Sequence, residues 1–321
     1  MKRILLPLFA LVASLNSAMA VDDNTVEVAF NGSSATVTVA SNISSYVTNR
    51  SSGAHVRLVQ SESFSGNSIG EITYVLSGTS TDGEFYLEGS YKCTVEMQGL
   101  TLTNPSGPAV NIQNGKRVKV SAKNGTVNTL TDGANEDYNG CLHCKGHTEF
   151  KGKGTLNIVG NSRHGIYSKE YVELKNLTLN ITSAVKDGIH CKEYFLMESG
   201  TVSITGVQDD GIQVELSGTA STGQTSGHED EDSGNFYMED GTLKIDVIDG
   251  AGEHVKADGT ITYGGGTHTF TTTSGIESLR QADSDAETVV FDLAGRRVEG
   301  QGAKGLLIVR RGGSTVKVMS R

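Results

Sequence analysis

The segment Asp187-Gly188-Ile189-His190-Cys191-Lys192 reveals the architecture of this chain, because related copies flank it at a fixed interval. The preceding copy is His164-Gly165-Ile166-Tyr167-Ser168-Lys169, and the following copy is Asp210-Gly211-Ile212-Gln213-Val214-Glu215. Their second-position glycines recur 23 residues apart. A period of this length is typical of solenoids, in which each unit buries its apolar face only against its neighbours. Functional side chains are therefore expected in columns across repeats.

Each repeat divides into three short pieces in which apolar and polar residues alternate. In the central repeat these pieces are Gly188–Lys192, Tyr194–Met197 and Gly200–Ile204, and turn-forming residues separate them. Alternation with a period of 2 predicts strands. Three strands per rung of about 23 residues, stacked in register at ~4.8 Å, predict an all-β protein folded as a parallel β-helix.

The inward positions of the second and third pieces favour this fold, because they are apolar in one repeat after another. The second piece supplies Val95, Met97, Val118, Val120, Val172, Leu174, Phe195, Met197, Phe236 and Met238. The third supplies Leu102, Val127, Leu156, Ile158, Leu179, Ile181, Val202, Ile204, Leu243 and Ile245. A column of threonines is expected on the outer surface, at Thr101, Thr126, Thr155, Thr178, Thr201, Thr242 and Thr260.

The composition limits the classes of function. The 321 residues include 40 Gly, 3 Pro and no Trp, and the formal net charge is −10. Such a charge argues against a nucleic-acid partner, because no basic stripe is present to replace phosphate counterions. An acidic exported protein can still bind an acidic polymer if a divalent cation bridges the two.

Residues 1–20 predict a secretory signal peptide. Lys2 and Arg3 precede an apolar run, and Ala18-Met19-Ala20 has the small-residue pattern of a cleavage site. No other segment has the ~18 consecutive apolar residues of a membrane span. We therefore expect a secreted or surface-exposed monomer with no transmembrane segment.

The remaining sequence predicts one large domain and one small module. Residues 21–273 are expected to form the β-helix, with an irregular N-terminal cap over 21–90. Residues 274–288 are polar and charged, which indicates a linker. Residues 289–321 predict a small C-terminal β module. The long polar loop 216–234 interrupts the coil.

The cysteines are expected to be unpaired. Cys141 and Cys144 lie three residues apart on one strand and should point to opposite faces. The remaining two, Cys93 and Cys191, lie on other strands. A zinc or haem site at Cys141–His147 is disfavoured by the same strand geometry and by the lack of a His directly after Cys144. Buried thiols are the favoured interpretation.

The turn before the first piece collects carboxylates. Asp187 and Asp210 occupy the same position one repeat apart, and Asp209 precedes Asp210. Carboxylates this close repel one another unless a cation lies between them, and oxygen ligands in a turn suit Ca²⁺. We therefore expect a Ca²⁺ site at Asp187, Asp209 and Asp210, with Asp249 as a further candidate ligand. The alternative is ordinary Asp-Gly turn chemistry, which needs no metal.

The outward positions of the first piece predict a binding strip. The residues two and four after the glycine should share one exposed face, where Tyr and His rings can stack on sugars and Lys can pair with carboxylates. The candidate ligand-binding residues are Tyr167, Lys169, His190, Lys192, Gln213, His254 and Lys256. The alternative is a solvated face, where Lys discourages edge association.

Three segments carry a resemblance to a known family. They are Asn128-Thr129-Leu130-Thr131-Asp132-Gly133, Gly154-Thr155-Leu156-Asn157-Ile158 and Asp209-Asp210-Gly211-Ile212. Their order and spacing resemble those of the carbohydrate-binding-domain family of bacterial extracellular proteins, which has a pectate-lyase-like right-handed β-helix. The resemblance covers roughly residues 24–273. It implies binding of acidic, polygalacturonate-like polysaccharide with bound calcium and without established catalysis. The chain departs from the family at Arg163-His164, where the family prefers Asp-Asp, and at Cys141, Cys144 and Cys191.

The C-terminal segment carries a second resemblance. Val290–Val298 and Lys304–Val309 are similar to the C-terminal sorting domains of type IX secretion in Gram-negative bacteria. This resemblance implies export to the outer cell surface of such a bacterium. The alternative is a simple capping pair of strands.

The sequence predicts a non-catalytic, calcium-assisted polysaccharide binder and leaves two other classes open. A calcium-dependent polysaccharide lyase would need Arg163 or Lys192 as its base. A structural surface adhesin would bind no sugar. No acid–base constellation stands out, which favours the binder.

Overall fold

The computed structural model describes residues 21–66, 69–135, 137–218, 231–273, 288–291, 297–298, 305–311 and 314–320. The predicted signal peptide, linker residues 274–287 and residues 219–230 of the polar loop lie outside the described residues. One short 3₁₀ helix spans Ser41–Tyr46. Within the described ranges, no helix has the length and hydropathy needed to cross a membrane.

Strands make up almost all of the remaining regular structure. The first fifteen are β1 Thr25–Asn31, β2 Ser34–Val39, β3 Val47–Asn49, β4 His55–Gln60, β5 Ile72–Ser80, β6 Glu84–Gly89, β7 Cys93–Asn104, β8 Val110–Asn114, β9 Val118–Ala122, β10 Val127–Asp132, β11 Gly140–Cys144, β12 Thr148–Gly152, β13 Thr155–Val159, β14 His164–Ser168 and β15 Val172–Leu174. The others are β16 Thr178–Ser183, β17 Ile189–Lys192, β18 Tyr194–Met197, β19 Thr201–Val207, β20 Ile212–Glu215, β21 Asn235–Met238, β22 Thr242–Ile248, β23 Val255–Ala257, β24 Ile261–Tyr263, β25 Thr267–Thr273, β26 Thr288–Phe291, β27 Arg297–Val298, β28 Gly305–Arg311 and β29 Ser314–Ser320.

The strands wind into a solenoid with three faces. The first face is a sheet of order β23-β20-β17-β14-β11-β8-β6-β4-β3, parallel except where β3 meets β4. The second face, β24-β21-β18-β15-β12-β9, and the third, β10-β13-β16-β19-β22-β25, are continuous through the long strand β7. The predicted parallel β-helix is confirmed. The C-terminal strands form a separate antiparallel sheet of order β27-β26-β28-β29.

The inward columns of the second and third faces form one continuous core, as predicted, with one correction. Val127 is 60 % exposed and pairs with Thr155, so it lies in the outer column and not in the core. Its neighbour Asn128 takes the inward place, because its Oδ1 accepts the N–H groups of Gly99 and Leu100, both at 2.9 Å, where β7 bends between two faces. A buried bend needs such an acceptor.

The outer threonine column follows the register of the third face. It runs Thr155, Thr178, Thr201, Thr242 and Thr267. The predicted members Thr101 and Thr260 belong elsewhere: Thr101 pairs with Thr129, and Thr260 precedes β24 on the second face. Thr126 lies in the turn before β10. Changes in turn length shift the alignment here by one or more residues.

The repeated glycine is explained by close packing at a corner. A Cβ atom on Gly188 would lie 2.6 Å from Cγ2 of Ile204, and one on Gly165 would lie 2.9 Å from Cγ2 of Ile181. Both isoleucines belong to the inward column of the third face. Since neither position has room for a methyl group, the glycine period reports the packing of the first face against the third.

Candidate functional site

The outward positions of the first face form one unbroken column, which we call the central ladder. Strand pairing places its members directly beside one another from β4 to β23. In order they are Arg57, Tyr86, Asn111, His143, Tyr167, His190, Gln213 and Lys256. Such a column offers hydrogen-bonding groups at the spacing of successive strands, ~4.8 Å.

The middle of the central ladder is a stack of rings. The ring centroids of His143 and Tyr167 lie 5.1 Å apart, and those of Tyr167 and His190 lie 5.3 Å apart, with interplanar angles of 18° and 21°. Rings stacked in this way cover one another's faces. The ring edges and polar tips are therefore the groups available to a ligand, so the expectation that these rings stack on sugars is not supported for the middle of the column.

Three of the predicted ligand-binding residues, Tyr167, His190 and Gln213, are neighbours in the central ladder, as expected. Their exposure is less uniform than expected. His190 is buried, with 7 % of its surface exposed, while Tyr167 and Gln213 are half-buried. Ring stacking and ion pairing remove His190 from solvent.

The predicted place of His254 in this column is wrong. Gln213 pairs with Lys256, and the N–H of Gly211 bonds to the carbonyl of Glu253, so the last unit is shifted by two residues from the alignment that its glycine predicts. The ring of His254 stacks on Phe270 at 5.0 Å. Lys256 accordingly joins the central ladder instead of the lysine column.

The sequence reasoning missed His143. Aligning Gly140 with the repeated glycine would turn Leu142 outward in place of His143. In the structure Gly140 pairs with His164, His143 pairs with Tyr167, and Leu142 is fully buried. The alternation of apolar and polar residues over 141–145 is the signal that would have given the correct alignment.

A column of lysines runs beside the central ladder. Lys145 and Lys169 are exposed, and the N–H of Lys169 bonds to the carbonyl of Cys144, which places the two lysines on adjacent rungs. Neither is ion-paired within the part of the chain that the structure describes. Lys192 follows on the next rung, but its ammonium lies 3.4 Å from Glu215. Of the predicted lysines, Lys169 and Lys192 therefore lie in this column, and Lys145, which was not predicted, extends it.

Aromatic residues and a shallow groove extend the strip towards β4. Arg57 lies over the ring of Tyr86, 4.8 Å from its centroid, and Tyr138 packs edge-on against His143 at 5.5 Å. A groove of about 370 Å³ lies beside them, with Tyr86 and Lys145 among its walls. Tyr138 comes from the segment that connects β10 and β11.

The predicted acidic turn is assembled as expected, except for one member. Carboxylate oxygens of Asp187, Asp209 and Asp210 lie within 4.8 Å of one another. Asp249 lies in the exposed turn after β22 and is not part of this group. The shifted alignment of the last unit explains its exclusion.

The acidic turn fits Ca²⁺ poorly, because two of its carboxylates already have partners. Oδ2 of Asp187 lies 3.1 Å from Nδ1 of His164 and 2.9 Å from Nδ1 of His190, and its Oδ1 accepts the N–H of Asp210 at 3.1 Å. Oδ1 of Asp210 accepts the N–H of Glu253 at 2.7 Å, and its Oδ2 binds the ammonium of Lys256 at 3.0 Å. Ca²⁺ needs six to eight oxygen ligands, and these contacts leave few.

The protonation states follow from burial and from these contacts. Burial alone would raise the pKa of Asp187, but hydrogen bonding to His164 and His190 outweighs burial and holds the pKa well below its ordinary value. Burial lowers the pKa of His164, although Asp187 opposes this effect. Burial together with the charges of Asp187 and Asp210 raises the pKa of Asp209. The turn therefore holds an ionised carboxylate beside a neutral imidazole.

A second group of titratable residues lies at the corner between the first and second faces. Nε2 of His147 lies 3.0 Å from Oε2 of Glu170 and 3.3 Å from Oε2 of Glu193. The ring of His147 stacks on Tyr171 at 4.2 Å, which in turn stacks on Tyr194 at 4.8 Å. The sequence analysis considered His147 only as part of a disfavoured zinc or haem site and did not predict its glutamate partners.

The four cysteines are buried and free, which confirms the prediction of unpaired thiols. Burial raises the pKa of all four thiols, so they stay protonated. They are core side chains and not metal ligands or nucleophiles.

Comparison with known proteins identifies the family. The model of the family described as carbohydrate-binding domain-containing protein matches residues 67–317. The chain belongs to this family. The match extends from the irregular N-terminal strands to the C-terminal sheet.

Two further comparisons agree with the family. A carbohydrate-binding domain-containing protein of Acetivibrio thermocellus is 26 % identical over 103 residues, which cover 29 % of this chain and 36 % of the relative. The chain thus spans about a third of that relative. A gadolinium derivative of the polysaccharide lyase-like protein from C. thermocellum has a TM-score of 0.55 at 18 % identity, over 78 % of this chain and 98 % of the other. That likeness shows a common fold.

Proposed function

We propose that this protein binds an extended, uronic-acid-rich polysaccharide along the first face, without cleaving it. The observation that carries the proposal is the central ladder with Lys145 and Lys169 beside it. Polar ring tips and ammonium groups recur there at the spacing of the rungs, and membership of a carbohydrate-binding family supports a sugar ligand. Ammonium groups can pair with uronate carboxylates as point charges.

The mode of contact differs from stacking of sugars on aromatic faces. Since His143, Tyr167 and His190 cover one another, recognition depends on hydrogen bonds from the Tyr167 hydroxyl and the Gln213 amide and on charge from the lysines. Hydrogen bonds to ionised groups are the stronger ones. A neutral polysaccharide would leave the exposed ammonium groups of Lys145 and Lys169 without a charged partner, so an acidic one is the better fit.

The lyase remains the alternative, because the structural neighbour is described as polysaccharide lyase-like. Lys192, one candidate base, is already ion-paired, with its ammonium 3.4 Å from Oε2 of Glu215. That pairing favours the binder. Release of unsaturated sugars from polygalacturonate, followed by ultraviolet absorbance, would instead establish the lyase.

The test is binding of polygalacturonate by calorimetry and by retardation in gels that contain the polymer. The double variant Lys145→Ala/Lys169→Ala removes the two exposed cations of the strip and is expected to weaken binding at least about tenfold, since each lost contact to a charged group is worth roughly 1.5–3 kcal/mol. A matched control, Lys123→Ala/Lys153→Ala, removes two exposed charges from turns between the second and third faces and should bind as the wild type does.

Equal binding by the two double variants would reject the strip as the site. Absence of binding to every glycan of an array would favour the structural adhesin. Calcium assistance, expected from the family resemblance, stays a prediction, and a parallel titration in calcium and in chelator tests it. Export by the signal peptide and the type IX tail and the monomeric state also remain predictions.

A further inference from the structure

The carboxylate of Asp187 is the centre of a compact group of three side chains from adjacent rungs. His164 begins β14, Asp187 lies in the turn before β17, and His190 lies within β17. Each is less than 10 % exposed, and one atom of each lies within 4.8 Å of the others. Both imidazoles direct Nδ1 at the same oxygen, Oδ2 of Asp187, at 3.1 and 2.9 Å.

A nitrogen and a carboxylate oxygen this close need a positive centre between them, which is a proton on Nδ1 or a shared metal ion. Two neighbouring groups favour a proton on Nε2 instead. The N–H of Asp187 lies 3.3 Å from Nδ1 of His164, so this nitrogen presents its lone pair there, and a bound ion would take the place of this weak hydrogen bond. Oε2 of Glu215 lies 3.4 Å from Nε2 of His190. Carboxylates in this position fix the tautomer of metal-binding histidines.

We propose that His164, Asp187 and His190 bind a transition-metal dication of the Zn²⁺, Co²⁺ and Ni²⁺ class. The ligand atoms are Nδ1 of both histidines and Oδ2 of Asp187. With bonds of about 2.0–2.1 Å, ligands of a tetrahedral Zn²⁺ ion are about 3.3 Å apart. The observed 2.9 and 3.1 Å need widen only slightly.

The surroundings hold these ligands in place. Oδ1 of Asp187 accepts the N–H of Asp210 at 3.1 Å, which orients the carboxylate and leaves Oδ2 for the ion. Asp209 is half-buried beside Asp187 and can supply a fourth oxygen.

The ligand set selects against Ca²⁺. Two imidazole nitrogens and one carboxylate suit borderline-soft ions, whereas Ca²⁺ prefers six to eight oxygens. The ammonium of Lys256 holds the next carboxylate, Asp210, at 3.0 Å. The inference does not depend on glycan binding, and its test contains no glycan.

The experiment is a Co²⁺ titration of the tag-free full chain after chelator treatment, followed by visible absorption and calorimetry. One Co²⁺ ion per chain is expected at this site, with the intense d–d band of tetrahedral coordination. Equimolar Zn²⁺ should displace the ion, and a hundredfold excess of Ca²⁺ should not. The variant His190→Gln should lose the band while keeping the far-ultraviolet dichroism of the wild type.

Two further variants keep the result interpretable. Glu215→Gln removes the carboxylate beside His190 and should raise the dissociation constant for Co²⁺ about tenfold or more without abolishing the band. This variant also tests the site if His190→Gln fails to fold. His147→Gln removes the histidine of the other carboxylate corner and should leave the band unchanged. Absence of a band in the wild type, its persistence in His190→Gln, an unchanged affinity in Glu215→Gln, or displacement by equimolar Ca²⁺ would overturn the proposal.

Discussion

The side chain before the repeated glycine links each rung to the next by a hydrogen bond to a backbone N–H. Nδ1 of His164 faces the N–H of Asp187, Oδ1 of Asp187 accepts the N–H of Asp210, and Oδ1 of Asp210 accepts the N–H of Glu253. A buried corner leaves backbone donors that need such acceptors. Asp and His are therefore useful here with or without a metal, which is why residue type alone did not distinguish a calcium site from turn chemistry.

Asp132 is another buried carboxylate that accepts a backbone N–H, and its substitution tests the effect of burying such a charge. Its Oδ1 accepts the N–H of Asn161 at 2.5 Å, and burial raises its pKa to about 6. The folded state therefore holds the proton more tightly than the unfolded chain does, so the carboxylate lowers stability as the pH rises from about 4 through about 6. Asp132→Asn keeps the acceptor and should raise the free energy of unfolding at pH 7–8 by about 1–3 kcal/mol.

Urea unfolding of the wild type and of Asp132→Asn at several pH values measures this difference. The gain should be largest above pH 6 and should shrink as the pH falls below about 4, where the wild-type carboxyl group becomes protonated in the unfolded state as well. Asp23→Asn, at an exposed position, should show no such trend. A gain that is independent of pH would mean that burial of charge at Asp132 is not the cause.

At the scale of the element, one residue of register decides which side of a strand is buried. In β10 the alternation places Asn128 and Leu130 inside and Val127 outside, although Val127 is the more apolar of the first two residues. The alternation of apolar and polar residues predicted the strands correctly. The alignment of strands in successive rungs, however, depends on the lengths of the turns between them. Differences in turn length also place Lys256 in the central ladder and explain why His143 was not predicted to lie there.

The register of β10 predicts that Leu130→Ala and Val127→Ala have different effects on the free energy of unfolding. Leu130 is fully buried and Val127 is 60 % exposed. Leu130→Ala should lower the free energy of unfolding by about 2–5 kcal/mol, whereas Val127→Ala should change it by less than about 0.5 kcal/mol. Chemical denaturation measures both. A larger loss for Val127→Ala would restore the original alignment of this strand.

At the scale of the whole molecule, each rung is stabilised by its two neighbours, so burial falls off at the last rung. The strands β24 and β25 are largely exposed, with Ile261 39 % and Tyr263 37 % exposed. Strands in the middle, such as β17 and β18, are almost completely buried. Stability in a solenoid is roughly a sum of such nearest-neighbour terms.

Hydrogen exchange should follow this gradient. Amides of β23, β24 and β25 are expected to exchange faster than those of β14, β17 and β20, because local opening of a rung with little buried apolar surface costs less free energy. Exchange measured by mass spectrometry on peptides from each rung gives the order. Equal protection of the last and the middle rungs would show that the solenoid opens as one cooperative unit.

Local alternation and a constant period are properties of the residue order alone. They were enough to predict the repeat, the three strands of each rung, the inward apolar columns and the proximity of Asp187 and Asp210. Which columns continue past the regular repeats, and which partner each charged side chain has, depends on the folded structure. Turn lengths differ at β10, β11 and β23, and only packing in three dimensions places His143 beside Tyr167, Lys256 on Asp210 and two imidazoles on the carboxylate of Asp187.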